Sequence, residues 1–198
     1  QANYWLEELA KLLPMANDVR LDTMIRLRQS RLLVELNQVG LMKQVPWQTV
    51  YYNILAIKKQ EKPEFAFMYE ADFLGGLYYQ NVKLDSKGKP DSGGRIDYVS
   101  SRALFSSVVN LPASQGTPTR DLALLKLAET YWDEGNYDEA IKYYREAEAK
   151  CADNKSRAFA VYKTAKCYEQ KNQTYYAQNE YQRLVTLYPQ TDIARLYQ

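Results

Sequence analysis

The chain of 198 residues contains no histidine. Histidine is the commonest general base and the commonest transition-metal ligand in proteins, so its absence removes the usual basis of both kinds of site. Serine nucleophiles would need a lysine as their base, and no such pattern lies near the serines at Ser100 and Ser101. Carboxylate pairs such as Asp138 and Glu139 fall at predicted helix starts, where they complement the helix dipole. The sequence therefore predicts a protein that is not an enzyme and that holds no metal or cofactor.

Cysteine is scarce as well, since the chain has only Cys151 and Cys167. They lie on opposite sides of a predicted turn at about Asp153 to Ser156. Cys151 is beside that turn and Cys167 is about three helical turns beyond it, so the two cannot be neighbours in an antiparallel helix pair. We expect both cysteines to be free, buried and small core residues.

Long apolar runs and an excess of one charge sign are also missing. No uncharged apolar stretch approaches the length of a membrane span. The net charge of +2 gives no electrostatic reason to expect nucleic acid or an anionic membrane as a partner. The chain begins at Gln1 without an initiator methionine or a signal-like segment, and we expect it to be a mature form or a fragment of a longer protein.

Helical periodicity is clearest between Leu124 and Lys150. The first helix has Leu124, Leu127, Ala128 and Tyr131 on one side, and the second has Ala140, Ile141, Tyr144 and Ala147. Between them, Gly135 can take the left-handed conformation that ends a helix, and the segment from Asn136 to Asp138 offers oxygens that cap the next one. Two helices joined by so short a turn pack antiparallel.

This helix pair resembles the tetratricopeptide repeat (TPR) family. Of the residues typical of that family, only the closing proline is absent from this pair. The matching positions are Leu124, Leu127, Ala128, Tyr131, Gly135, Tyr137, Ala140, Tyr144 and Ala147. A second copy follows at an offset of 37 residues, so that Ala128 corresponds to Ala165 and Ala140 to Ala177. Its matching positions are Tyr162, Ala165, Tyr168, Ala177, Tyr181, Leu184 and Pro189, with Asn172 in the place of Gly135. The resemblance implies an all-α fold of antiparallel helix hairpins stacked in a right-handed superhelix, an α-α solenoid.

An interrupted copy precedes these two. Its first helix has Ala71, Leu74, Gly75 and Tyr78 at the family positions, and its second helix is predicted from Asp97 to Asn110. A loop over 81–96 separates them, and its acidic residues lack the spacing of a calcium site, so we expect an exposed loop. The predicted domains are divergent hairpins over 1–62, an interrupted repeat over 63–113, repeats over 119–153 and 156–190, and the start of a capping or further helix over 191–198.

Two local expectations concern the ends and faces of helices. The first is that Thr119 or Asp121 lies near the cap of the helix that opens the 119–153 repeat. The second is the apolar side of the helix from Val19 to Val39, predicted to consist of Leu21, Met24, Ile25, Leu32, Leu33 and Leu36.

The resemblance also implies a concave groove lined by the first helix of each pair. Carried over position by position, the partner-binding residues are Tyr69, Asp72, Tyr79, Leu122, Leu125, Glu129, Trp132, Asp133, Phe159, Tyr162, Lys166 and Glu169. Trp132 is either a partner anchor or packs on the preceding hairpin. The family's clamp for a terminal carboxylate is absent, because the matching positions are Asp72, Leu125 and Glu129. We expect an extended or helical peptide, held by aromatic contacts and hydrogen bonds.

The function predicted from these features is a noncatalytic scaffold that binds a protein or peptide within a larger bacterial assembly. The alternative is a helical accessory or regulatory domain of a longer multidomain enzyme or envelope receptor. RNA binding would need a basic stripe, and Lys126, Lys163 and Lys166 are too few and are mixed with acids. The ending from Leu187 to Asp192 resembles repeat boundaries of bacterial envelope TPR proteins, which favours a periplasmic or envelope-associated location.

Overall fold

A computed structural model describes residues 2–15, 18–59 and 65–198. Most of these residues are helical, as the all-α prediction requires. The helices are α1 (Ala2–Leu12), α2 (Val19–Gln38), α3 (Trp47–Lys58), α4 (Phe65–Asn81), α5 (Tyr98–Asn110), α6 (Pro118–Asp133), α7 (Tyr137–Lys150), α8 (Asn154–Gln170), α9 (Thr174–Leu187) and α10 (Asp192–Arg195), with short 3-10 turns at Leu13–Met15 and Pro112–Ser114. The chain forms two compact units, Gln1–Asp97 and Tyr98–Gln198.

The first unit is built from α1 to α4. Helix α2 packs on α1 and α3, and α4 packs on both α2 and α3. The α2 and α3 interface contains a buried amide, because Asn53 donates to Gln29 Oε1 at 3.0 Å and to Ser30 Oγ at 3.1 Å. Arg26 Nη1 donates to the side-chain oxygen Oδ1 of Asn53 at 3.3 Å. These bonds satisfy a polar side chain that would otherwise be costly to bury.

The predicted apolar side of α2 is wrong at two positions. Leu21 and Met24 are each 46% exposed. The buried side instead includes Thr23, Ile25, Leu27, Ser30, Leu33, Val34 and Leu36. Polar residues can be part of this face because their hydroxyls are bonded, as when Thr23 donates to Val19 O at 2.9 Å. The buried side of α2 therefore cannot be predicted from the positions of its apolar residues alone.

The 81–96 segment is more ordered than the predicted loop. Strands β1 (Lys83–Leu84) and β2 (Arg95–Ile96) pair antiparallel inside it. Gly94 permits this pairing, because a Cβ atom there would lie 2.2 Å from Leu84 O. The Asp85 carboxylate accepts hydrogen bonds from the backbone N–H groups of Lys87 and Lys89 at 2.8 and 2.9 Å. Most of the connecting residues are exposed, as expected.

The second unit is a series of helices in which each packs on the next, from α5 to α9. Helix α8 also packs on α6, and α10 packs on α8 and α9. Asn172 is predicted to take the place of Gly135 in the second repeat, and this is confirmed. Both residues adopt a positive φ, 77° at Gly135 and 56° at Asn172. Asn136 caps α7 by accepting from Glu139 N at 3.4 Å. The boundary between the units lies inside the range 63–113, and the grouping of that range into one repeat stays a prediction.

The cap of α6 differs from the expectation. Thr117 is the capping residue and accepts from Arg120 N at 3.3 Å, because α6 begins at Pro118. Asp121 instead joins α6 to the connection between α7 and α8, where its Oδ2 accepts from Ala152 N at 2.7 Å and from Asp153 N at 3.2 Å. Burial of this carboxyl raises its pKa.

Both cysteines are buried and free, as predicted. Burial raises the pKa of the Cys151 thiol and of the Cys167 thiol to about 12. Both side chains are therefore protonated at neutral pH, and they behave as small core residues.

Candidate functional site

The first helices of two successive hairpins, α6 and α8, enclose a concavity of about 370 Å³. We call this concavity the α6–α8 pocket. Its lining residues are Leu122, Leu125, Lys126, Glu129, Lys155, Ser156 and Phe159. The structure thus brings together four residues that the sequence predicted as partner-binding, namely Leu122, Leu125, Glu129 and Phe159.

Glu129 supplies the single carboxylate among the residues that line the α6–α8 pocket. Its side chain forms an ion pair with Lys126 one turn earlier in α6. Lys163 on α8 approaches the same carboxylate, with its Nζ 3.8 Å from Glu129 Oε1. Two ammonium groups therefore share this carboxylate, which leaves positive charge in excess at this side of the pocket.

Trp132 lies one helical turn beyond Glu129 and is half-buried. Its ring meets Tyr137 edge to face with the centroids 5.2 Å apart. Lys163 Nζ lies 4.9 Å from the Trp132 ring centroid and 5.8 Å from that of Phe159. These ring contacts are with α7 and α8, the elements that follow Trp132 in the chain. Asp133 beside it is exposed.

Tyr162, Lys166 and Glu169 form a separate cluster farther along α8. The Tyr162 ring packs at 6.4 Å from Tyr181 and 6.0 Å from Tyr197, measured between centroids. Glu169 accepts hydrogen bonds from Lys166 Nζ and from Tyr181 Oη, each at 2.8 Å. The Lys166 bond lowers the pKa of Glu169, and the same bond raises the pKa of Lys166. None of these residues lines the α6–α8 pocket.

Three predicted site residues, Tyr69, Asp72 and Tyr79, belong to α4 in the first unit. Asp72 is buried, and its Oδ1 lies 2.8 Å from Lys58 Nζ on α3. Tyr69 and Tyr79 are half-buried, and burial raises the pKa of each hydroxyl. The Asp72 carboxylate therefore has a place in the packing of α4 on α3.

Two larger concavities flank the β-hairpin of the first unit, with volumes of about 730 and 900 Å³. Their walls consist mainly of glycine and polar side chains, such as Asp85, Gly94, Gln44 and Asn81. No cluster of cysteine, aspartate and glutamate residues suited to a metal ion occurs within 2–15, 18–59 and 65–198. More than half of the residues that line each concavity are glycine or polar, whereas small-molecule sites are typically lined mainly by apolar side chains with few polar groups.

Sequence reasoning missed Lys155 and Ser156, which lie in the first turn of α8. The positions carried over from the family begin farther along that helix, at Phe159. At the 37-residue offset Lys155 corresponds to Pro118, the first residue of α6, so the repeat alignment alone does not indicate that Lys155 lies beside Leu122 and Leu125.

Comparison with known families gives two matches, both in the second unit. Residues 121–161 and residues 159–191 each match a family model described as tetratricopeptide repeat. No curated protein matches the chain. Within the part of the chain that the structure describes, no helix is both long and apolar enough to cross a membrane. The two matches include α6, α7, α8 and α9, and therefore the whole α6–α8 pocket.

Proposed function

We propose that the chain is a noncatalytic scaffold that binds a protein partner, because residues 121–191 match tetratricopeptide repeats. The observation that carries this proposal is the α6–α8 pocket, which lies between the first helices of the two matched repeats. A partner segment in this groove would contact Leu122 and Phe159, whose side chains are only half-buried. Partly exposed apolar side chains that line a concavity can bury their surface against an apolar group of a partner.

The partner we expect is a peptide segment, extended or helical, that belongs to a larger assembly. Lys163 lies against Glu129 and Phe159 of the pocket lining and against the Trp132 ring, and we expect Trp132 and Lys163 to contact the same segment. The ending from Leu187 to Asp192 favours a bacterial envelope setting for that assembly. Identification of the captured proteins tests this setting together with the binding itself.

The experiment is affinity capture from a native extract, followed by quantitative mass spectrometry. The pocket variant carries Leu122→Ser with Phe159→Ser, and we expect it to lose at least about tenfold of the captured partner because hot-spot anchors are each worth about 2 kcal/mol or more. The control variant carries Tyr175→Ser with Tyr176→Ser, which removes two exposed aromatic residues from α9. Circular dichroism confirms that both variants remain folded.

Capture by the control variant should equal that of the wild type. If the pocket variant captures the same proteins and the α9 variant loses them, binding occurs on the surface of α9 and the proposed groove is wrong.

A further inference from the structure

We infer that the α6–α8 pocket takes one apolar side chain of the partner, and that Lys155 pairs with a carboxylate beside that side chain. The partner segment is therefore an acidic peptide with an aliphatic or aromatic anchor. This inference rests on the proposed function, since it specifies the chemistry of the same groove. It differs from the family's terminal-carboxylate clamp, whose positions are occupied here by Asp72, Leu125 and Glu129.

The apolar half of the inference follows from the pocket floor. Leu122, Leu125 and Phe159 supply three of the seven lining residues. The volume of about 370 Å³ is at the lower end of ligand pockets, which hold about 300–1,000 Å³. Such a space suits the side chain of one residue with part of its neighbour. Burial of that side chain would remove the exposed apolar surface of Leu122 and Phe159 from water.

The acidic half follows from the balance of charge. Glu129 is the one anionic residue in the lining, and both Lys126 and Lys163 already neutralise it. Lys155 also lines the pocket and is exposed, and it forms no ion pair with any of the described residues. A partner carboxylate would find an available ammonium group there, whereas a partner lysine or arginine would meet like charge.

The size of the effect is modest because Lys155 is exposed. Water and salt screen exposed ion pairs, so a single pair changes affinity by a factor on the order of three to five. The anchor side chain supplies affinity, and the carboxylate supplies preference among sequences. The preference should weaken as the salt concentration rises.

The test is selection of a random dodecapeptide phage library on the immobilised full chain. On the wild type we expect enrichment of peptides in which an aliphatic or aromatic residue lies within two positions of Asp or Glu. Lys155→Glu should reduce that acidic preference about threefold to fivefold and favour Lys or Arg instead. Lys142→Glu is the matched control, because it makes the same charge change on exposed α7 surface and should leave the preference unchanged.

Other outcomes separate this inference from the proposed function. Peptides that require Leu122 and Phe159 but show no acidic preference, or a preference that Lys155→Glu leaves intact, overturn the inference and leave the groove in place. Peptides that bind equally to the Leu122→Ser and Phe159→Ser double variant, or no enriched peptides on the wild type, overturn both.

Discussion

Replacement of Tyr144 by alanine is expected to lower the free energy of unfolding by about 3–5 kcal/mol. Tyr144 lies in α7, which packs on both α6 and α8, and its side chain is fully buried. Alanine would leave a cavity at the contact of three helices, and the lost transfer free energy adds to the cost of that cavity. Urea unfolding followed by circular dichroism measures the change.

The phenylalanine variant is the matched control for this prediction. The Tyr144 hydroxyl is buried, and no hydrogen-bond partner for it is found within the described residues. Tyr144→Phe should therefore leave the free energy of unfolding unchanged or raise it by about 1 kcal/mol, since an unpaired buried hydroxyl is unfavourable. A cost below about 1 kcal/mol for Tyr144→Ala, or an equal cost for both variants, would contradict this packing.

The second large effect is expected at the small residues where neighbouring helices approach closely. Ala140 on α7 has no exposed surface, and its counterpart Ala177 on α9 is 2% exposed. Leucine at either position would overpack the hairpin and lower the free energy of unfolding by about 1–3 kcal/mol. The shift of the thermal unfolding midpoint provides an independent readout.

Ala149→Leu is the control for the alanine prediction, because Ala149 is exposed on the same helix as Ala140. Surface substitutions of this kind usually change stability by no more than about 0.5 kcal/mol. Equal stabilities of the Ala140→Leu and Ala149→Leu variants would show that the register of the repeat is wrong.

The repeat itself could be predicted because its signals are local. Buried Ala140 and Ala177 recur at one offset, and Gly135 and Asn172 both adopt positive φ at the turn between two helices. Short connections then leave antiparallel packing as the one arrangement that buries both apolar faces.

Features that depend on distant contacts could not be predicted. The orientation of α2 depends on Asn53, whose amide bonds Ser30 from the neighbouring helix and so allows a polar residue on the buried face. The β-hairpin depends on the absence of a Cβ atom at Gly94 beside the Leu84 backbone. Neither contact is visible in the periodicity of one segment.

Only part of the pocket lining could be predicted from the sequence, because the rest depends on contacts between helices that are distant in the chain. The resemblance to tetratricopeptide repeats predicts Leu122, Leu125 and Phe159 on the groove side of α6 and α8, and these residues do line one pocket. The resemblance does not identify the ion-pair partners of charged residues, such as the contact of Asp72 with Lys58. The position of Lys155 in the pocket lining could not be predicted, because it arises from the packing of α8 against α6.

The most direct test of the groove is site-specific photocrosslinking in the native extract. A benzophenone amino acid replaces Phe159 in one sample and Tyr175, which is exposed on α9, in another. Our account predicts a discrete crosslinked protein from position 159 and none from position 175. A crosslink from position 175 with none from position 159 would contradict it.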